Sequence, residues 1–200
     1  MSVRYAYTYV TVARGETRSA ALLAVALQVL IRDGYDRFSM DSVAALAHAS
    51  KTTIYRRWSN KAELIKAALD AHDASFNDEV FDTGGLRTDL IATMGMLRRK
   101  AQALPPTLYP DLIRAMEHDE TLSDAIHRHL ADPGLSPFDA PLSRAVGRGE
   151  AGVDVDRQLI HDVAEAMLTH RLTLGGPLDD AFIGRLVDDV LLVLIRPGAR

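Results

Sequence analysis

The chain has 200 residues, 48% hydrophobic and only 6% aromatic, with no cysteine and a net charge of −4. Disulfides, a thiolate nucleophile and Cys-ligated zinc are therefore excluded, which suits a reducing compartment. Apolar runs such as Ala20–Leu27 and Val190–Ile195 fall far short of the roughly 20 residues a membrane span needs, and Arg14, Glu16 and Arg18 interrupt any signal-peptide layout, so the expectation is a soluble, cytoplasmic protein with no membrane partner.

Residues 1–16 alternate Tyr5, Tyr7 and Tyr9, but no partner strand follows and a lone strand leaves its backbone unsatisfied. The segment is expected to be a flexible arm. From Thr17, a candidate N-cap, the pattern turns helical: Ala20, Leu23, Ala24, Leu27, Leu30 and Ile31 follow helical spacing, and Gly34 stands where a left-handed residue would stop the helix. Ser39 then caps a short helix with Val43, Leu46 and Ala47 inward and Asp41 in its first turn. Ser50 caps Lys51–Arg57, and Asn60 with Glu63 forms a capping-box pattern before a fourth helix from Lys61 that buries Leu64, Ile65, Ala68 and Leu69. Three caps so closely spaced imply short helices meeting at sharp angles.

The later helices are longer. Leu86–Ala103 presents Leu90, Ile91, Met94 and Leu97 and ends at Pro105-Pro106. Thr107–His118, Thr121–Leu130 and Ala140–Arg148 follow, with a loop around Asp132-Pro133-Gly134 and Pro137. Two strongly amphipathic helices finish the chain, Asp156–Leu172 and Leu178–Ile195. The chain as a whole is expected to be all-α, with about nine helices.

The segment Phe38–Leu64 is the informative one. A helix of about eight residues, a three-residue turn and a second short helix make a helix-turn-helix, whose second helix enters a major groove. Ile54 and Trp58, four apart, anchor its inner face and leave Lys51, Thr52, Thr53, Tyr55 and Arg56 outward. Hydroxyls and cations at that position suit phosphates and base edges, and Arg reads guanine bidentately. Lys61 at the start of the next helix combines its charge with free N–H groups that hold phosphate. Charge agrees: residues 1–60 hold eight Lys/Arg against four acids, whereas the other 140 hold 15 against 23. Only the front is suited to a polyanion. Ser39, Ser50, Lys51, Thr52, Thr53, Tyr55, Arg56 and Lys61 are the candidate DNA contacts.

The run from Phe38 through Ser50 to IYRRW and NKAEL closely resembles the DNA-binding domain of TetR-type repressors, in which the recognition helix is followed by Tyr-x-x-aromatic and a lysine opening the fourth helix. Here those positions are Tyr55, Trp58 and Lys61. The strong match covers about Thr17 to Leu69; RAVGRGE and GGPLDDAFIGRLVDDVL near the end extend it more weakly. The resemblance implies an arm (1–16), a three-helix DNA-binding domain (17–60) and a helical ligand-binding and dimerisation domain (61–200). It implies operator DNA, an identical subunit and an unidentified small-molecule effector as partners. A ligand that favours a form with wrongly spaced recognition helices would release the operator, with the fourth helix as lever. Family members commonly carry glycine in the turn where this chain has His48, so a local difference is expected.

Other sites are less sharply marked. Met94, Leu97, Tyr109, Met116, Met167 and Arg171 are candidates for an apolar effector pocket with a few polar points. Leu159, Val163, Met167, Phe182, Leu186, Val190 and Leu194 are candidates for the dimer interface. His118, His127, His129, His161 and His170 show no metal-ligand spacing, and no nucleophile elbow, phosphate loop or acid–base pair appears. Neither an enzyme, a metal nor a cofactor is expected. The alternative left open is a helical interaction protein with a degenerate helix-turn-helix.

Overall fold

A computed structural model describes residues 18–77, 81–130, 132 and 136–195. The Tyr-rich arm and Thr17 lie outside them. The helices are α1 (Arg18–Arg37), α2 (Met40–Leu46), α3 (Lys51–Tyr55), α4 (Lys61–Asn77), α5 (Leu86–Gln102), α6 (Leu108–Met116), α7 (Glu120–Leu130), α8 (Asp139–Gly147), α9 (Arg157–Thr173) and α10 (Asp180–Arg185). The last continues without a break through a π-helical stretch, Leu186–Leu191, into Leu192–Ile195. The fold is all-helical, with no strand among the described residues.

Side chains close the helix starts, at Ser39 and Asn60 as the sequence suggests and at Asp156 and Asp179 besides. Ser39 accepts from the Ser42 amide at 3.0 Å, Asn60 from Glu63 at 2.9 Å, Asp156 from Leu159 at 3.0 Å and Asp179 from Phe182 at 2.8 Å. Each cap satisfies an amide that the helix cannot. Gly34 breaks α1 with φ 72° and ψ 171°, a region essentially reserved for glycine. The helical turn re-forms after it and brings Tyr35 back against the body of the protein.

Two apolar clusters hold the molecule. The first joins α1–α4 to α6 and α7 through residues such as Leu30, Val43, Ile54, Leu64, Leu69 and Leu122. The second joins α5, α8, α9 and the final helix through Leu90, Met94, Phe138, Leu142, Leu168 and Val187. Helices α1–α3 thus close no core of their own. The packing beneath them continues through α4 into α6 and α7.

In α1 the buried stripe is Leu22, Ala26, Val29 and Leu30, with Leu23, Leu27 and Ile31 half-buried and Ala24 exposed. The sequence reading placed that stripe one residue away. An Ala- and Leu-rich helix has apolar residues on most of its surface, so periodicity alone locates its inner face loosely.

Candidate nucleic-acid interface and effector cavity

Helices α2 and α3 form the helix-turn-helix. Ala47 ends α2, His48 carries the turn at φ 49°, and the Ser50 hydroxyl accepts from the Thr53 amide at 3.2 Å to open α3. The turn carries a left-handed residue without glycine, so His48 bears strain that a glycine there would avoid. That conformation costs a side-chain-bearing residue about 1–2 kcal/mol, of which glycine's extra unfolded-state freedom would return about half. A His48→Gly exchange is therefore expected to raise the midpoint of thermal unfolding by a few degrees, measurable by calorimetry.

Ile54 is completely buried and Trp58 packs half-buried against the same core, which orients α3. Lys51, Thr52, Tyr55 and Arg56 are then exposed and Thr53 is partly exposed. Tyr55 leaves 52% of its surface to solvent, unusual for so large a ring. Lys51 pairs with Asp41 across the turn at 2.6 Å, a contact that the sequence reading missed. The Asp41 hydrogen bond holds the Lys51 ammonium above its ordinary range, so it stays charged. Both groups are exposed, and the pair is easily exchanged for another anion.

Lys61 begins α4 half-buried, its ammonium 3.8 Å above the Tyr35 ring. The Tyr35 hydroxyl donates to Asp119, whose other oxygen accepts from the Leu122 amide at 3.0 Å. The start of α4 is thereby tied to the corner between α6 and α7.

A cavity of about 760 Å³ opens between α4, α5, α6, α7 and α9. Leu97, Tyr109, Leu112, Ile113, Met116 and Ile126 form its apolar walls; Lys100, His129, Gln158, Asp162 and Glu165 are among its polar groups. Of the six pocket candidates, Leu97, Tyr109 and Met116 line it. Met94 does not, being sealed in the second core, since α5 turns that residue toward α8 and the final helix. Met167 projects outward, 38% exposed, and Arg171 stacks over Phe182 at 4.4 Å and donates to the Pro177 carbonyl at 2.6 Å. Neither lines the cavity.

The polar wall belongs to a network that sequence reading passed over. Lys100, buried on α5, donates to Asp73 on α4 and to Glu165 on α9, each at 2.8 Å. His129 on α7 donates to Asp70 at 2.7 Å, with its other nitrogen 3.6 Å from Asp73. Lys66 pairs with Asp70 at 2.6 Å, and His161 lies 3.4 Å from Glu165. Burial alone would raise the Glu165 carboxyl, but His161 and Lys100 pull it down to about 2. Burial would lower the Lys100 ammonium, yet Glu165 and Asp73 more than offset it and hold it above its ordinary range. Burial, with Asp73 and Glu165 nearby, pushes the Tyr109 hydroxyl far up, so it is a neutral donor. A signal was present in sequence: Asp73, Lys100 and His129 each follow a buried apolar residue (Leu69, Leu97, Ile126) by one turn, continuing an inward stripe with a charge.

At the far end, Phe182 and Leu186 are buried in the chain's own second core, which corrects their assignment to a surface for a second subunit. Helix α10 and the π-helical stretch that continues it turn them toward α5 and α9. Leu159, Met167, Val193 and Leu194 are each about 40% exposed, and Val163 and Val190 are half-buried. Among the described residues no three His, Asp or Glu side chains are grouped to hold a metal, and no helix is long and apolar enough to cross a membrane.

Comparison with known proteins agrees with this arrangement. Residues 22–68 match the family described as bacterial regulatory proteins, tetR family, and residues 80–190 match the tetracyclin repressor-like C-terminal domain. The chain is 33% identical over 177 residues to the HTH-type transcriptional regulator Rv1556 of Mycobacterium tuberculosis, covering 88% of this chain and 86% of that one. It is 28% identical over 177 residues to the HTH-type regulator YdeS of Bacillus subtilis, covering 87% and 88%. The crystal structure of the TetR family regulator SCO0332 superimposes with a TM-score of 0.67 at 30% identity, covering 91% of this chain and all of that one. With both halves matched and the helix-turn-helix in place, the chain belongs to the TetR family and is a DNA-binding transcriptional regulator.

Proposed function

We propose that the protein is a homodimeric repressor that leaves a palindromic operator when a small molecule enters the cavity beside α4. The observation that carries this reading is the face of α3. Lys51, Thr52, Tyr55 and Arg56 stand exposed around a buried Ile54, as a helix that lies in a major groove requires. Ser39, Ser50 and Thr53 supply hydroxyls at the two helix starts, and Lys61 a phosphate contact. Two copies, one per half-site, sit about 34 Å apart. Lys100 joins α4, which follows the DNA-reading helices directly, to the α9 wall of the cavity. A ligand there acts on the lever as well as on the wall.

The test is a fluorescence-anisotropy titration against DNA flanking the protein's own gene at several salt concentrations. Two cations per subunit meeting phosphates predict a log–log salt slope of about −4. Weak binding, indifferent to sequence, at every flanking site would sink the repressor reading.

Dimerisation is assigned to the apolar residues that α9 and the final helix leave uncovered: Leu159, Val163, Met167, Val190 and Leu194. A Leu159→Glu, Leu194→Glu pair places two charges on that face without touching either core. The expected result by light scattering is a folded monomer with no specific operator binding. A dimer of unchanged stability would remove the surface from consideration.

A further inference from the structure

Resting on the effector reading of the cavity, we propose that the ligand it takes is an amphipathic cation, an apolar body carrying a protonated amine. The walls set the first half. Leu97, Leu112, Ile113, Met116 and Ile126 offer an apolar surface to a volume of about 760 Å³, ample for a hydrocarbon body and too apolar for a sugar or nucleotide.

The polar end sets the second half. Asp162 and Glu165 line the cavity beside Lys100, and Asp70 and Asp73 stand behind that wall with Lys66, which leaves two negative charges in excess with the imidazoles counted neutral. Lys100, the cation nearest a prospective anion, is already shared by two carboxylates at 2.8 Å. An incoming carboxylate would meet Asp162 and Glu165 before any uncommitted positive charge. Donors are short as well. One oxygen of the buried Asp73 has no hydrogen-bond partner, although the residue is only 5% exposed. Asp162 accepts from Gln158 at 2.8 Å through one oxygen only. Gln158, Asp162 and Glu165 lie along one face of α9 at the cavity wall, where an ammonium would meet two carboxylates in succession. Lost hydration of that ammonium is replaced by fixed acceptors.

The experiment is isothermal titration of the full chain with three probes of one chain length, below their micellar concentrations: decylammonium, decanol and decanoate. Decylammonium is expected to bind at least tenfold more tightly than decanoate. Asp162→Asn, at an exposed position, should remove about tenfold of the amine's affinity and leave decanol unchanged. Glu165→Gln should act in the same direction, with a thermal melt to confirm folding. Met116→Trp, which fills the cavity, should weaken the amine and the alcohol together. Decanoate binding as tightly as the amine overturns the proposal, as does an amine affinity indifferent to Asp162→Asn. Operator titration of the same samples separates this from the repressor reading: specific operator binding without amine binding defeats the ligand class alone.

Discussion

Arg56→Ala is expected to weaken operator binding about a hundredfold while leaving thermal stability within about 0.5 kcal/mol of the parent. Arg56 is exposed, so its removal resembles an ordinary surface exchange for folding. For binding, a good bidentate contact is worth about 1–3 kcal/mol per site, and the proposed two-fold dimer would lose it twice. The loss should depend on sequence: large at the operator, small on random DNA. Lys51→Ala should instead weaken both nearly uniformly and flatten the salt slope. Arg114→Ala, on an exposed face of α6 and paired with Asp111 at 2.9 Å, serves as the control and should change neither. Specific binding by Arg56→Ala equal to that of the parent would mean that α3 does not read the groove.

Lys100→Met should cost about 3–5 kcal/mol and lower the unfolding midpoint by about 10 °C at neutral pH. Buried Asp73 and half-buried Glu165 would lose the cation between them, and a buried charge left without its partner is far more costly than the pair. The pH dependence checks the cause. Glu165 titrates at about 2 in the folded chain against 4.5 for the ordinary group. Its folded value is the lower one, so its stabilisation is complete above pH 4.5 and fades as pH falls toward 2. In Lys100→Met the carboxyl keeps His161 but loses the ammonium that helps to hold it down, and takes a proton at higher pH. The deficit against the parent should therefore be largest near pH 7 and shrink below about 4.5. Adding Asp73→Asn and Glu165→Gln to the same chain should recover part of the loss, because no unpaired charge then remains buried. A deficit constant from pH 7 to pH 4 would point to lost packing of the lysine stem instead.

Much of this molecule is legible along the chain because its information is local. Ser39, Ser50 and Asn60 mark helix starts by a bond to an amide three residues on, a relation that needs no knowledge of the rest of the fold. The helix-turn-helix is legible for the same reason: buried Ile54 and exposed Lys51, Tyr55 and Arg56 follow from spacing within a few turns. The amphipathic helices were located to within a few residues, although the π-helical stretch at Leu186–Leu191 left no mark in the pattern.

Contacts between helices distant in the chain were not legible. Lys100 meets Asp73 and Glu165 across 27 and 65 residues, and His129 meets Asp70 across 59. Periodicity says that such a residue faces inward but not which helix it faces. The same limit misplaced Met94, Met167 and Arg171 in a pocket, and Phe182 and Leu186 on a subunit surface. Each lies on a helix with two apolar flanks, and only packing decides which flank meets the chain's own core, which a cavity and which a second subunit. Sequence by itself determined that this is an all-helical protein with a DNA-reading helix near its front. Tertiary structure decided where the cavity lies and what holds α4, because apolar burial is non-directional while the geometry of a cavity and of a buried ion pair is not.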